Sequence, residues 1–190
     1  MALNDTLVVF ADGNPIDVLR SYPVLDKPAT RGLVERLFPG ARAEEIGDEL
    51  LVDALNPPAD VVCVGCFAGL DLVCGWGLTP RRPSELDPIV LKASSRRNVY
   101  LHAAHGDAGW CCYGVWRDGT RLRARCVCAD PGIAEDEGEP LGFEAGGDPD
   151  DLPCAAMQGL FGFACDDHDR LDDVDPELIP VVVYRISTAS

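Results

Sequence analysis

The chain has few positive charges. Its 16 basic residues, only two of them Lys, stand against 32 Asp and Glu residues, so that the formal net charge is -16 over 190 residues. Proteins that bind nucleic acid neutralise phosphates with Lys and Arg, and anionic membranes attract the same side chains. We therefore expect neither nucleic acid nor a membrane as a partner of this protein.

Long apolar segments are also missing. The opening residues, MALNDTLVVFADG, lack the basic stretch and apolar run of a signal peptide, and no apolar segment approaches the roughly 20 residues of a membrane helix. The nine cysteines are an odd number and come without an export signal, so we expect reduced, mostly buried thiols. Together these features predict a cytoplasmic protein.

The sequence contains none of the familiar catalytic or phosphate-binding motifs, such as G-x-S-x-G, H-E-x-x-H or a Gly-Lys-Ser/Thr loop. Cys63 and Cys66 have the spacing of a zinc motif, but on a strand they point to opposite faces and cannot bind one ion. The acidic run at 167–173 lacks the glycine and closing glutamate of an EF-hand. We predict no metal site and no cofactor.

What the chain does contain is enough apolar sequence, 47%, for one domain spanning residues 1–190. Apolar patterns and turn signals predict strands at 7–10, 61–67, 70–74, 98–102 and 181–186, and helices at 14–22, 30–38, 82–93 and 153–164. Residues 44–55 are weaker and predict only a short helix. The pattern is typical of an α+β domain whose sheet is mixed or largely antiparallel and is packed by several helices.

The clearest local signal is a β-hairpin at 110–128, because Asp118-Gly119 is typical of a type I′ turn. Placing Arg117 opposite Thr120 predicts three facing pairs on the apolar side: Val115 with Leu122, Tyr113 with Ala124 and Cys111 with Cys126. A cross-link between Cys111 and Cys126 under oxidation stays open. The half-exposed side would then hold Trp116 beside Arg121, with Arg123 and Arg125 farther along.

Negative charge is concentrated in the C-terminal third. Residues 130–177 hold 16 of the 32 acidic residues and a single basic one, Arg170. We expect acidic surface loops at 130–152 and 166–176, with a possible short strand at 140–144. A solvated surface that keeps the protein soluble explains this charge, and a docking face for a basic partner is the alternative. The partner-binding candidates are Asp166, Asp167, Asp169, Asp172 and Asp173.

The best candidate for chemistry is the segment LHAAHGDAGW at 101–110. It holds His102 and His105, two of the three histidines, together with Asp107. Histidine titrates near neutral pH, and a carboxylate can orient its ring. Asp12 and Asp71 lie at strand boundaries and could converge on the same end of the sheet, with Trp110 and Trp116 as candidates for ligand contact. Satisfied core histidines and ordinary turn chemistry explain the same residues without any pocket.

Several short motifs occur in order: LVVFADG at 7–13, LFPG at 37–40, FAGLD at 67–71, PSEL at 83–86, LHAAH at 101–105, VWRDG at 115–119, GEPLGFE at 138–144 and LFGF at 160–163. Together they resemble an uncharacterised actinobacterial family described as a domain of unknown function. The resemblance implies counterparts of Asp12, Asp71, His102, His105 and Trp116 in relatives, small or apolar residues at most cysteine positions, and a longer insertion near 146–152. It implies no activity.

Two hypotheses of function follow. In the first, the chain is a binding or regulatory protein, for instance immunity-like, that uses its acidic C-terminal face against a basic protein. In the second, it is a small enzyme or ligand-binding domain with a His/Asp pocket near 102–110. The sequence leaves its oligomeric state open.

Overall fold

Nine strands form a single sheet in the computed structural model, which describes residues 4–129, 132–145, 151–163 and 174–188. The strands are β1 (Asn4–Ala11), β2 (Ala41–Leu50), β3 (Val61–Phe67), β4 (Leu70–Cys74), β5 (Asn98–His105), β6 (Trp110–Arg117), β7 (Thr120–Cys128), β8 (Gly132–Gly138) and β9 (Pro180–Thr188). Their order is β2-β9-β3-β4-β1-β5-β6-β7-β8. Each neighbouring pair in this order is antiparallel. Of the two predicted arrangements, mixed or largely antiparallel, the described strands thus show the antiparallel one.

Helices cover both faces of the sheet: α1 (Pro15–Leu19), α2 (Lys27–Leu37), α3 (Leu51–Ala54), α4 (Pro88–Ala93) and α5 (Leu152–Phe161). On the first face, helices α1, α3 and α5 pack over alternate strand residues such as Leu7 and Val9. On the second face, helices α2 and α4 pack over Val8 and Phe10. Because both faces are covered, the central strands are apolar at nearly every position.

Helix α1 shows how the sequence sets these elements. The Asn14 side chain accepts a hydrogen bond from the Ile16 amide at 3.0 Å, and Pro15 occupies the first helical position. Both are strong helix-start signals, so the predicted helix start is confirmed. Helix α5 likewise buries Met157, Leu160 and Phe161, as its apolar pattern predicts.

Three predicted elements differ from the structure. Residues 41–50 form edge strand β2, and only the four residues of α3 are helical where a helix at 44–55 was expected. The helix predicted at 82–93 is a single 3₁₀ turn followed by α4, because Asp87 caps a new start at Pro88. Within the expected loop at 130–152, residues Gly132–Gly138 are strand β8, and Gly142–Glu144 is a 3₁₀ turn instead of a short strand.

The hairpin is present, but its register differs from the prediction. Asp118 and Gly119 have φ of 51° and 75°, as a type I′ turn requires, and Arg117 pairs with Thr120. A bulge at Leu122 then shifts the pairing, so that Val115 faces Arg123 and Tyr113 faces Arg125. Gly138 of β8 lies so close to this bulge that a Cβ atom there would sit 1.9 Å from the Leu122 carbonyl oxygen.

The bulge also separates Cys111 from Cys126, which were expected to face each other. Cys111 pairs with Val127 and belongs to the first core, whereas Cys126 pairs with Cys112 in the second core. The opposite orientation of Cys63 and Cys66 is confirmed, since they also lie in different cores. None of the described helices has the length and apolar character needed to cross a membrane.

Candidate functional site

Asp12 and Asp71 converge at one end of the sheet, as predicted. Asp12 follows β1, and Asp71 lies in β4 beside the end of β1, where it pairs with Phe10. Between them lies Arg97, whose Nε is 3.2 Å from Asp12 Oδ1 and whose Nη1 is 3.0 Å from Asp71 Oδ2. The guanidinium thus pairs with both carboxylates and joins the chain after α4 to the ends of β1 and β4.

The loop that carries Arg97 has an unusual backbone. Ser95 and Arg96 have φ of 54° and 74°, so two consecutive residues that are not glycine occupy the left-handed region. Each such residue costs on the order of 1 kcal/mol or more, and such residues cluster at binding and active sites. Arg97 is the next residue in the chain, and its ion pairs fix its position. These contacts explain how the surrounding structure holds Ser95 and Arg96 in this conformation.

A cleft of about 1100 Å³ opens beside this loop. One wall is the loop with Arg96 and Arg97, and another is the tip of the β6–β7 hairpin with Arg117. The third is the strap, by which we mean residues 139–143. The apolar lining consists of Pro15, Val115, Leu122, Pro140, Leu141, Phe143 and Leu160. A second cleft, of about 840 Å³, shares Arg97 and also contains Asp71.

A buried ion pair holds the strap against the sheet. Arg123 is 1% exposed, and its Nε and Nη2 donate to the two carboxylate oxygens of Glu144 at 2.8 and 2.5 Å. Glu144 also accepts from the Leu141 amide and from Arg125. Burial alone would disfavour its charge, but these hydrogen bonds outweigh burial and lower the pKa of Glu144. The cleft wall is therefore fixed by charge-assisted bonds.

The histidines lie elsewhere, which corrects the predicted pocket. Strand β5 begins at Asn98, next to the cleft, and ends at His105, about 24 Å away at the rise of an antiparallel strand. His102 and His105 also point to opposite faces, because the residues between them alternate between the two cores. Asp107 is exposed in the turn after β5. The five candidates for catalysis thus divide into two groups.

His102 is completely buried and pairs with a residue that the sequence analysis did not select. Its Nε2 lies 2.8 Å from Oδ1 of Asp5, which is also buried. Asp5 lies on the same face of β1 as Leu7 and Val9, which belong to the first core. A carboxylate on this otherwise apolar face was the sequence signal that could have identified Asp5. Asp5 therefore takes the role predicted for Asp107.

We expect His102→Gln to lower the free energy of unfolding by about 1–2 kcal/mol, because the amide only partly replaces the buried contact to Asp5. Ligand binding in the cleft should not change, since the two sites lie at different places along β5. Urea unfolding and binding measurements on the same variant test this. A loss of binding without a loss of stability would contradict a structural role for His102.

The two tryptophan candidates are not in the cleft either. Trp116 is 3% exposed within the second core, so the half-exposed position predicted for it is wrong. Trp110 packs against the same core, and its indole N–H donates to the Arg81 carbonyl at 3.2 Å. The partner-binding candidates Asp166, Asp167, Asp169, Asp172 and Asp173 lie outside the described residues.

Residues 5–146 match the model of a family described as "Family of unknown function (DUF6928)". The chain belongs to this family. The match includes β1 to β8 and the residues of the cleft that come from the Arg97 loop, the hairpin and the strap. It stops before α5 and β9, although β9 lies between β2 and β3 in the sheet. Comparisons with curated proteins and with solved structures found no match.

Sequence reasoning missed the arginines of this site. The segment S94-S95-R96-R97-N98 places two of the scarce basic residues between a helix and a strand. Because the chain has only 16 basic residues, two consecutive arginines beside the end of a strand were the sequence signal that could have identified this site.

Proposed function

We propose that the protein is a binding protein whose site is the cleft between the Arg97 loop, the hairpin tip and the strap. The observation that carries this proposal is the combination of an apolar lining with arginines from two separate parts of the chain, the Arg97 loop and the β6–β7 hairpin. Binding sites for small molecules are typically concave and apolar, with a few polar groups that set orientation. A volume of about 1100 Å³ accommodates a ligand of that class.

A binding role agrees better with this geometry than proton transfer does. Asp12 and Asp71 both form an ion pair with the same guanidinium, that of Arg97. The histidines, the usual acid–base groups, lie toward the far end of β5. Within the part of the chain that the structure describes, the enzyme alternative is thus left without a histidine beside the paired carboxylates.

The test is native mass spectrometry of the protein purified from its own host, with Gly142→Phe as the variant that fills the cleft. Gly142 lines the cleft, and a Cβ atom there meets nothing within 4 Å, so the added ring projects into open space. Gly77→Phe is the matched control, because its Cβ is equally unhindered and Gly77 is not a cleft residue.

We expect a small added mass on the wild-type protein and on Gly77→Phe, and its loss from Gly142→Phe. A bare mass for the wild type, or an adduct that Gly142→Phe retains, would contradict the proposal. The same spectra test the other binding hypothesis, in which a basic protein docks on the acidic surface. That partner would co-purify with all three proteins and dissociate at high salt.

One observation favours a basic partner, although on an acidic surface other than the predicted C-terminal face, whose candidate residues lie outside the described ranges. The edge strand β2 carries the exposed carboxylates Glu44, Glu45 and Glu49, which form no ion pair with any described residue. Exposed Leu50 and Leu178 lie nearby, since the chain before β9 packs on β2. Against it stands a bulge between Glu45 and Gly47, a device that protects edge strands from pairing.

A further inference from the structure

We propose that the ligand of this cleft is an anion with an apolar body, such as an aromatic or aliphatic carboxylate, sulfonate or phosphate. The inference rests on the proposed function and adds the chemical class of the ligand. The distribution of charge in the molecule is the first observation that supports it. The protein carries a net charge of -16, yet the cleft is lined by four arginines and three carboxylates.

The four arginines have two different roles. Arg97 is held by Asp12 and Asp71, and Arg123 by Glu144 and Asp136, so these two already have counterions. Arg96 and Arg117 are exposed and form no ion pair with any residue that the structure describes. They are the cations that remain available to a ligand.

The fold brings these two arginines to the same end of the sheet. Arg96 lies two residues before β5, and Arg117 is the last residue of β6. Val99 near the start of β5 pairs with Trp116 near the end of β6, so both arginines project from adjacent strand ends. The guanidinium is the side chain best suited to bidentate recognition of carboxylate and phosphate.

The backbone at Arg96 supports the same conclusion. Arg96 has φ of 74° and follows Ser95, which is also left-handed, although glycine or asparagine would adopt this conformation at lower cost. Arg96 thus places a long cationic side chain on an unfavourable backbone beside an arginine-lined cleft. Strain of this kind is characteristic of ligand sites.

The remaining walls define the apolar part of the ligand. Val115, Leu122, Phe143 and Leu160 all line the cleft, and the bulge in β7 turns Leu122 outward to 42% exposure. Tyr100 also lines it, but its hydroxyl group donates to the Gly13 carbonyl at 3.2 Å and is already occupied. The cleft therefore offers apolar contacts together with the guanidinium groups of Arg96 and Arg117, beside the carboxylates Asp118 and Glu139 that also line it.

Two fluorescent probes of nearly the same shape test this inference. 8-Anilinonaphthalene-1-sulfonate carries one negative charge, and N-phenyl-1-naphthylamine lacks the sulfonate. We expect the sulfonate to bind the wild-type protein at least about tenfold more tightly, since a charge-assisted pair contributes about that factor. The variant with Arg96→Gln and Arg117→Gln should lose this preference. The control with Arg31→Gln and Arg42→Gln removes equal charge outside the cleft and should keep it.

The outcomes separate the inference from the proposed function. If both probes bind equally and Gly142→Phe weakens both, the cleft is a ligand site but its ligand is not selected by charge, and the inference is overturned. If Gly142→Phe weakens neither probe, the proposed function itself fails. If the sulfonate preference is lost equally in the Arg31→Gln and Arg42→Gln control, net charge explains it and the inference is again overturned.

Discussion

Glu144→Ala should lower the free energy of unfolding by about 2–3 kcal/mol. The substitution removes the bidentate carboxylate of the buried Arg123 guanidinium, which keeps Asp136 as a counterion. The cost is therefore that of the lost charge-assisted hydrogen bonds and not that of an uncompensated buried charge. The substitution also removes the acceptor for the Leu141 amide. Urea unfolding at neutral pH measures the effect. Glu139→Ala is the matched control, because this exposed glutamate of the strap should change stability by less than about 0.5 kcal/mol.

The loss of unfolding free energy caused by Glu144→Ala should depend on pH. The pKa of Glu144 is lowered in the folded protein, so its contribution is present above the unfolded pKa of about 4.3 and is lost as pH falls through the folded pKa. We therefore expect the wild-type and variant curves to approach each other below about pH 4. A difference that is equally large at pH 3 and pH 7 would contradict the ion-pair explanation.

Raising the pH from 8 to 10 should destabilise the protein by about 4 kcal/mol through two thiols alone. Burial raises the pKa of Cys63 to about 11 and that of Cys66 to about 12, and it also raises the pKa of Cys126. In the unfolded chain a thiol ionises near pH 8.5. The stabilising effect is thus complete below about pH 8.5 and is lost as pH rises toward the folded pKa, at about 2 kcal/mol per thiol by pH 10.

Urea unfolding at pH 7, 8, 9 and 10 in the presence of a reductant checks this prediction. Cys66→Ala is the informative variant: it should be less stable at pH 7 because of the cavity, yet it should lose about 2 kcal/mol less than the wild type between pH 8 and pH 10. Stability that stays constant over this interval in both proteins would show that the thiols ionise equally in the folded and unfolded states.

The elements that could be predicted are those whose signals are local. The cap at Asn14, the turn at Asp118-Gly119 and the apolar run of β3 are each set by neighbouring residues, and the structure shows all three. Strand β2 has no apolar alternation, because it lies at the edge and is largely exposed. It forms by pairing with β9, which is more than a hundred residues later in the chain, and no local pattern reports that contact.

The hairpin register could not be read from the sequence for a related reason. Counting outward from the turn assumes an unbroken ladder, but the close approach of Gly138 in a third strand accompanies an extra residue at Leu122. That single shift moves Arg123 from the predicted exposed side to a buried position, where its side chain pairs with Glu144. An apolar pattern alone would not place an arginine there.

The candidate site was found in part. Strand ends correctly indicated that Asp12 and Asp71 converge, because antiparallel neighbours bring the end of one strand beside the start of the next. Grouping the histidines with them failed, since β5 carries His102 and His105 away from that end. The arginines were missed because ion pairing between distant segments leaves no periodic pattern.

Amide chemical-shift mapping of the ¹⁵N-labelled protein, titrated with 8-anilinonaphthalene-1-sulfonate, tests the central claim most directly. The account predicts that the largest perturbations fall at residues 95–98, 115–118 and 139–143, the three walls of the cleft, and that Gly142→Phe abolishes them. Perturbations concentrated at residues 44–52 and 176–178, on the acidic edge and its exposed leucines, would contradict it and place binding at the β2 edge of the sheet.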